Sequence, residues 1–189
     1  MISMGAKTMS KTIALFIGPS GSGKTTVAEY LVKHYGFTQI ESYTTRAPRY
    51  DGEVGHIFVS NEEFDQLKDF VAYTEFDGNR YAATAEQVES NDIYVVDVAG
   101  AEYFKEKYKG SKKPIVFYFN LPANIRKQRM QNRGDPYQLI VQRMDNDERM
   151  FANVGNRLKA IYDQVWLIEN YDVQQDADEI KSILSHANA

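Results

Sequence analysis

The chain has no cysteine among its 189 residues, which excludes disulfides, thiolate metal sites and a cysteine nucleophile, and is compatible with a reducing cytoplasm. It has no apolar run approaching the length of a membrane-spanning helix, so no membrane partner is expected. An excess of positive charge is also missing. Its 22 Lys and Arg stand against 26 Asp and Glu, a formal net charge of −4 that argues against a general binder of nucleic acid, although a local basic cleft would be hidden in that total. Repeats, low-complexity segments and interdomain linkers are absent too. Residues 1–11 carry Lys7 and Lys11 but no long apolar core, so they read as a flexible leader and not as a signal peptide. Gly5 is not at the second position, so no myristoylation pattern exists. What is present is enough for one core: hydrophobic residues make up 43%, and 25% charged residues do not suggest wholesale disorder. A single cytoplasmic domain over residues 1–189 is expected.

The most informative stretch is Gly18-Pro19-Ser20-Gly21-Ser22-Gly23-Lys24-Thr25, directly after the apolar run Ile13–Ile17. It fits the phosphate-binding pattern G-x-x-x-x-G-K-[ST] between a buried strand and a helix. Glycines at 18, 21 and 23 let backbone N–H groups close around a polyphosphate without obstructing Cβ atoms. Lys24 can reach the outer phosphates, Thr25 can offer a hydroxyl to Mg²⁺, and the helix points its positive end at the anion. Gly18, Ser20, Gly21, Ser22, Gly23, Lys24, Thr25 and Thr26 are therefore the candidate ATP-binding residues.

Apolar runs alternate with helical spacing along the rest of the chain, which predicts an α/β layered sheet. Ile13–Ile17, Ile93–Val96, Ile115–Phe119 and Val165–Ile168 read as core strands, with a further short strand around Gln39–Ser42. Ser60 and Glu63 read as a capping box. Asp77-Gly78-Asn79 marks a turn between two strand-like pieces of a small inserted sheet. Gly134-Asp135-Pro136 breaks one helix, a second is predicted from about Tyr137 to Phe151, and a closing helix from Asp178 to Leu184.

Several residues could carry chemistry. Asp97 ends a core strand on the side where such sheets bind ligands, and could hold Mg²⁺ through water or orient an acceptor; it could equally cap the following helix. Arg46 and Arg49 flank Pro48 and suit a phosphate ester. Arg126, Arg129 and Arg133 fall at i, i+3 and i+7, and Arg143 follows; they fit an exposed face paired with Asp145, Asp147 and Glu148, or a mobile lid over a migrating phosphoryl group.

Taken together, these motifs resemble the guanylate kinase family of P-loop nucleoside monophosphate kinases, from about Thr12 to the C-terminus. Ser42–Arg49 is similar to that family's S-x-T-T-R-x-P-R, Phe58–Phe64 to its F-V-S-x-x-E-F, and Gly78–Tyr81 to its G-N-x-Y. Asp97–Ala101 resembles D-V-x-G-A, Arg129–Gly134 the R-x-x-x-R-G of the lid, and Tyr162–Asn170 the closing strand and its asparagine. The resemblance implies a three-layer P-loop NTPase fold with a parallel core sheet, an acceptor-binding insertion over about 42–85 and a helical lid over about 126–150. It implies transfer of the ATP γ-phosphoryl group, with Mg²⁺, to a nucleoside monophosphate, GMP or dGMP first. Lys24, Arg46, Arg129, Arg133 and Arg143 would be catalytic, Asn170 would lie near the adenine, and Ser42, Arg46, Arg49, Asn79, Tyr81 and Asp97 would bind the acceptor, with His56 and Glu75 as further acceptor-binding candidates. A monomer or homodimer is expected.

The departures concern the acceptor. Ala72 stands where the family has a glutamate that reads guanine, leaving Glu75 and Asp77 as the nearest acids. Tyr81-Ala82-Ala83 replaces Y-G-[ST], with Thr84 as a substitute hydroxyl, and His56 stands in place of a phosphate-binding tyrosine. Two further readings stay open: a related kinase acting on a sugar phosphate such as ribose 1,5-bisphosphate, suggested by Glu53 and His56-Ile57, and a non-catalytic binding module, against which the intact phosphate loop speaks.

Overall fold

A computed structural model describes residues 10–48, 51–76 and 78–188. Two four-stranded sheets organise them. The core sheet is wholly parallel, in the order β6 (Ile93–Val95), β1 (Thr12–Ile17), β7 (Lys113–Phe119), β8 (Val165–Ile168). Alternation along β1 explains its unbroken apolar run. Ile13, Leu15 and Ile17 enter one buried cluster with Phe104 and Leu158, whereas Ala14 and Phe16 enter another with Val27, Leu31 and Ile180. Helices α4 (Val98–Lys107) and α7 (Val154–Ile161) supply the first cluster, α1 (Lys24–Tyr35) and α8 (Val173–Asn188) the second. The result is three layers, helix–sheet–helix, as the alternation of elements predicts.

The second sheet runs β3 (His56–Phe58), β2 (Ser42–Thr44), β5 (Asn79–Thr84), β4 (Phe70–Phe76). Here the predicted strand at Gln39–Ser42 is corrected. Gln39 makes only an isolated bridge to Ile93, Ile40 is buried in the core, and Ser42 already belongs to β2, paired with His56. The chain crosses between sheets at that point. Between β3 and β4, α2 (Asn61–Gln66) starts on the Ser60/Glu63 capping box as predicted; a second box, Thr84 with Gln87, opens α3 (Ala85–Ser90) and escaped the sequence reading.

Helices α5 (Ala123–Asn132) and α6 (Tyr137–Met150) are separated by Gly134, whose φ of 86° suits the break. The helix ending at Met150 is followed by α7, which starts on left-handed Asn153 and was not predicted. The closing helix α8 is also longer than its predicted span, running from Val173 to Asn188. Its end corrects the leader: Asn188 Oδ1 accepts from the Lys11 N–H at 2.8 Å and from Ser10 Oγ at 3.2 Å, so residues 10 and 11 are tied down. Residues 1–9 lie outside the described part. Among the described residues, no helix is long and apolar enough to cross a membrane.

Candidate active site

The phosphate loop joins β1 to α1 and is braced from beneath. Asn170, in the loop after β8, is fully buried and donates from Nδ2 to the Ser22 carbonyl at 3.0 Å. Gly23 sits at φ 89°, and a Cβ there would lie 2.0 Å from that amide nitrogen. Gly21, at φ 75°, approaches the Arg126 carbonyl so closely that a Cβ would fall 2.7 Å from it. Lys24 folds back over the loop, its Nζ donating to the carbonyls of Gly18 at 2.5 Å and Pro19 at 3.1 Å. Burial pushes the Lys24 ammonium down to about 8; the negative charge of Asp147 opposes that shift, Arg126 adds to it and Asp97 opposes it.

Three cavities meet at this loop. One of about 440 Å³ has Ser20, Lys24 and Thr25 on one wall and Arg46, Asn79, Tyr81, Arg133 and Arg143 on the other. A second, of about 330 Å³, leads from Gly18 and Lys24 past Ser42 and His56 to Thr74, Tyr94 and Asp97. A third, of about 710 Å³, lies between Thr25, Thr26, Glu53 and Asp135. Ser42 Oγ and His56 Nδ1 are hydrogen-bonded at 3.0 Å, and the His56 ring stands 5.8 Å from that of Tyr81. Arg46 makes a two-pronged pair with Glu53, at 2.8 and 3.2 Å, while its Nε is buried with no partner. Asp97 accepts the Gly100 N–H at 2.6 Å and so caps α4, yet it also lines the second cavity, where burial pushes its carboxyl above the usual range. The two readings of Asp97 are thus compatible.

Comparison with known proteins gives this arrangement a family. Residues 9–187 match the family model described as Guanylate kinase. The chain belongs to the guanylate kinase family. Curated guanylate kinases resemble it over most of their length: that of Clostridium tetani is 30% identical over 94% of this chain and 87% of its own, and that of Clostridioides difficile 31% identical over 89% and 84%. The crystal structure of guanylate kinase from Anaplasma phagocytophilum has the same fold, with a TM-score of 0.61 at 23% identity over 96% of this chain and 88% of that one. With the family goes its class, ATP-dependent phosphotransferase.

In this family member several predicted site residues stand elsewhere. Asn170, expected near the adenine, has no exposed surface and braces the phosphate loop instead. Arg129 donates from Nη2 to the Asn170 carbonyl at 2.7 Å, on the Gly23 side of the loop and away from the three cavities. Arg126 is not part of a solvated stripe: it is buried, held by Asp147 at 2.9 Å and by the Ser20 carbonyl at 3.2 Å. Glu75 is exposed, lines none of these cavities, and accepts a hydrogen bond from the Tyr73 hydroxyl. Arg49 and Asp77 lie outside the described residues.

Three carboxylates named in the sequence have partners in the fold that the sequence indicated only in part. Asp147 on α6 accepts the Ser20 N–H at 2.8 Å as well as the Arg126 guanidinium. Asp135 binds both Arg133 and Arg143, the latter at 2.8 Å, and Glu53 binds Arg46. Each reaches a predicted phosphate-binding element. The pairing of Asp147 with the arginine helix is among the expectations and holds for Arg126, whereas Asp135 reads as part of a helix break and Glu53 as a pointer to a sugar phosphate.

Proposed function

We propose that this guanylate kinase family member transfers the γ-phosphoryl group of ATP to a nucleoside monophosphate in the cytoplasm, with GMP or dGMP as the acceptor. The observation that carries the reading is the cavity in which Lys24 and Thr25 face Arg46, Asn79, Tyr81, Arg133 and Arg143. Donor-side and acceptor-side cations converge on one space, as in-line transfer between two phosphates requires. The buried, unpartnered Nε of Arg46 is a donor waiting for an anion.

Mg²⁺ would accompany the nucleotide. Among the described residues no three His, Cys, Asp or Glu side chains gather as a cage. The donor that remains on the phosphate-loop side, the Thr25 hydroxyl, fits a cation that keeps most of its waters and takes its other oxygens from phosphates, whereas Asp97 lines a different cavity and is left to the acceptor. Bound there, it would neutralise charge on the donor oxygens. The remaining work falls to the chain itself. The loop N–H groups and Lys24 hold the donor, Arg46 and Tyr81 hold the acceptor phosphate, and Arg133 and Arg143 turn from Asp135 to the migrating group. No general base is needed, because the acceptor oxygen is already a nucleophile.

The test is coupled ADP release with GMP, dGMP, AMP, CMP, UMP, dTMP and ribose 1,5-bisphosphate in parallel. Stimulation by GMP or dGMP above the rest is the expected result; stimulation by a pyrimidine nucleotide alone would defeat it. One observation favours the sugar phosphate as a second reading. Ala72 and Ala83 face each other across β4 and β5 and are buried, so this pair offers a base no polar side chain.

A further inference from the structure

The 330 Å³ cavity is lined from both sheets, with Tyr94 and Asp97 from the core-sheet side and Tyr73, Thr74 and Tyr81 from the inserted hairpin. Ala72 and Ala83 belong to the same buried cluster as Tyr94 and present only methyl groups. Tyr94, on β6 opposite Leu15 of β1, is 4% exposed, and it lines the cavity beside Asp97 and Thr74. No described residue makes a hydrogen bond to its hydroxyl. A phenol has a pKa of about 10 and carries its proton at neutral pH, so this is an unused donor aimed into a ligand-sized space. Its neighbour has the opposite capacity. Asp97 is a carboxylate, an acceptor, with one oxygen engaged by the Gly100 N–H and Thr74 also bonded to it.

The hydroxyl belongs to a cavity-lining residue and is not a desolvated atom sealed in the core, so a ligand group there can take its hydrogen bond in place of solvent. A donor beside an acceptor is the complement of a ring edge that carries a carbonyl oxygen next to an N–H. We propose that the Tyr94 hydroxyl reads the acceptor by donating a hydrogen bond to a ring carbonyl oxygen, the C6 oxygen of a guanine-type base, with Asp97 facing the adjoining N–H. This rests on the kinase reading above and adds to it a specificity residue that lies outside every motif of the sequence. It also supplies a polar contact that Ala72 and Ala83, buried in the same core cluster as Tyr94, do not.

Tyr94→Phe removes the hydroxyl and keeps the ring in the core. GMP, IMP and AMP separate the possibilities, since the first two carry the C6 oxygen and AMP carries an amino group there. The variant is expected to lose about 3- to 10-fold in kcat/KM for GMP and for IMP, the range of one neutral hydrogen bond. AMP turnover and calorimetric MgATP affinity stay as in the wild type, and Tm is equal or higher because no protein hydrogen bond is lost. Unchanged kcat/KM for GMP overturns the proposal. So does a loss shared by AMP and MgATP with a fall in Tm, which marks Tyr94 as structural only. A wild type that turns over no acceptor overturns the kinase reading instead. GMP binding measured directly to both proteins then still decides Tyr94: weaker binding by the variant supports the contact, and equal or absent binding refutes it.

Discussion

The carboxylate of Asp147 accepts the backbone N–H of Ser20 at 2.8 Å, across 127 residues of sequence, and through it the C-terminal half of α6 is fastened to the phosphate loop. The same oxygen takes the Arg126 guanidinium at 2.9 Å. Both side chains are nearly buried, with Asp147 7% exposed. Removing one partner leaves the other as an uncompensated charge, so Asp147→Ala is expected to lower unfolding free energy by about 3 kcal/mol. The paired replacement Arg126→Met with Asp147→Leu should recover most of that loss. Urea unfolding of the three proteins without nucleotide measures both effects; additive losses would show that the pair does not act as a unit.

Lys24 is the second test. Its ammonium is partly buried and bonds only to loop oxygens, so Lys24→Ala relieves a partly desolvated charge while taking away the cation of the donor site. Turnover should fall by about 10³-fold or more, on the scale of a lost electrostatic contact in a closed site. Thermal unfolding should remain cooperative with Tm unchanged or raised. Wild-type-like ADP release from the variant is incompatible with the proposed function.

Arg133 and Arg143 share Asp135. If they turn to the transferring group only during reaction, Arg143→Ala should lower kcat by about 10²-fold while leaving MgATP affinity nearly intact, because the interaction is made chiefly in the transition state. Calorimetric binding set beside steady-state kinetics gives the comparison. A variant with weakened MgATP binding and unchanged kcat would assign this arginine to ground-state binding.

Asp176 on α8 supplies a pH test. One of its oxygens is buried without a partner, and burial, with Glu179 and Asp172 nearby, pushes its carboxyl up to about 6, against the opposing effect of Arg129. Between the unfolded value near 4 and about 6, the folded chain holds a proton that the unfolded chain has released. The stability this contributes is present at low pH and is lost as pH rises through about 6. Asp176→Asn should therefore raise Tm at pH 7.5 more than at pH 4.5. An equal shift at both values would remove Asp176 as the source of the slope.

What was legible in the sequence was what is encoded locally. The phosphate loop is eight consecutive residues, and the Ser60/Glu63 box spans four; both are found where their patterns indicate. The core strands were legible because burial on both faces leaves unbroken apolar runs. Contacts between distant residues left no comparable signal. Asp147 reads as one more acid on a polar helix until the fold sets it against Ser20, and Tyr94 reads as strand filler until a cavity opens at its hydroxyl. Asn170 was assigned by its place in a motif, but its position beneath Ser22 depends on how β8 sits beside β7. The strand at Gln39–Ser42 failed because its alternation does not reveal that the chain changes sheets after Ile40.

Glu53 on Arg46, and Asp135 on Arg133 and Arg143, give the cleft its own resident counterions. A row of bare guanidinium groups would project a positive field and draw in any passing polyanion. With the charges already balanced at short range, that field is damped before it reaches solvent. A phosphate ligand would then have to displace carboxylates by matching their geometry, not merely their sign, and selection among polyanions would rest on shape.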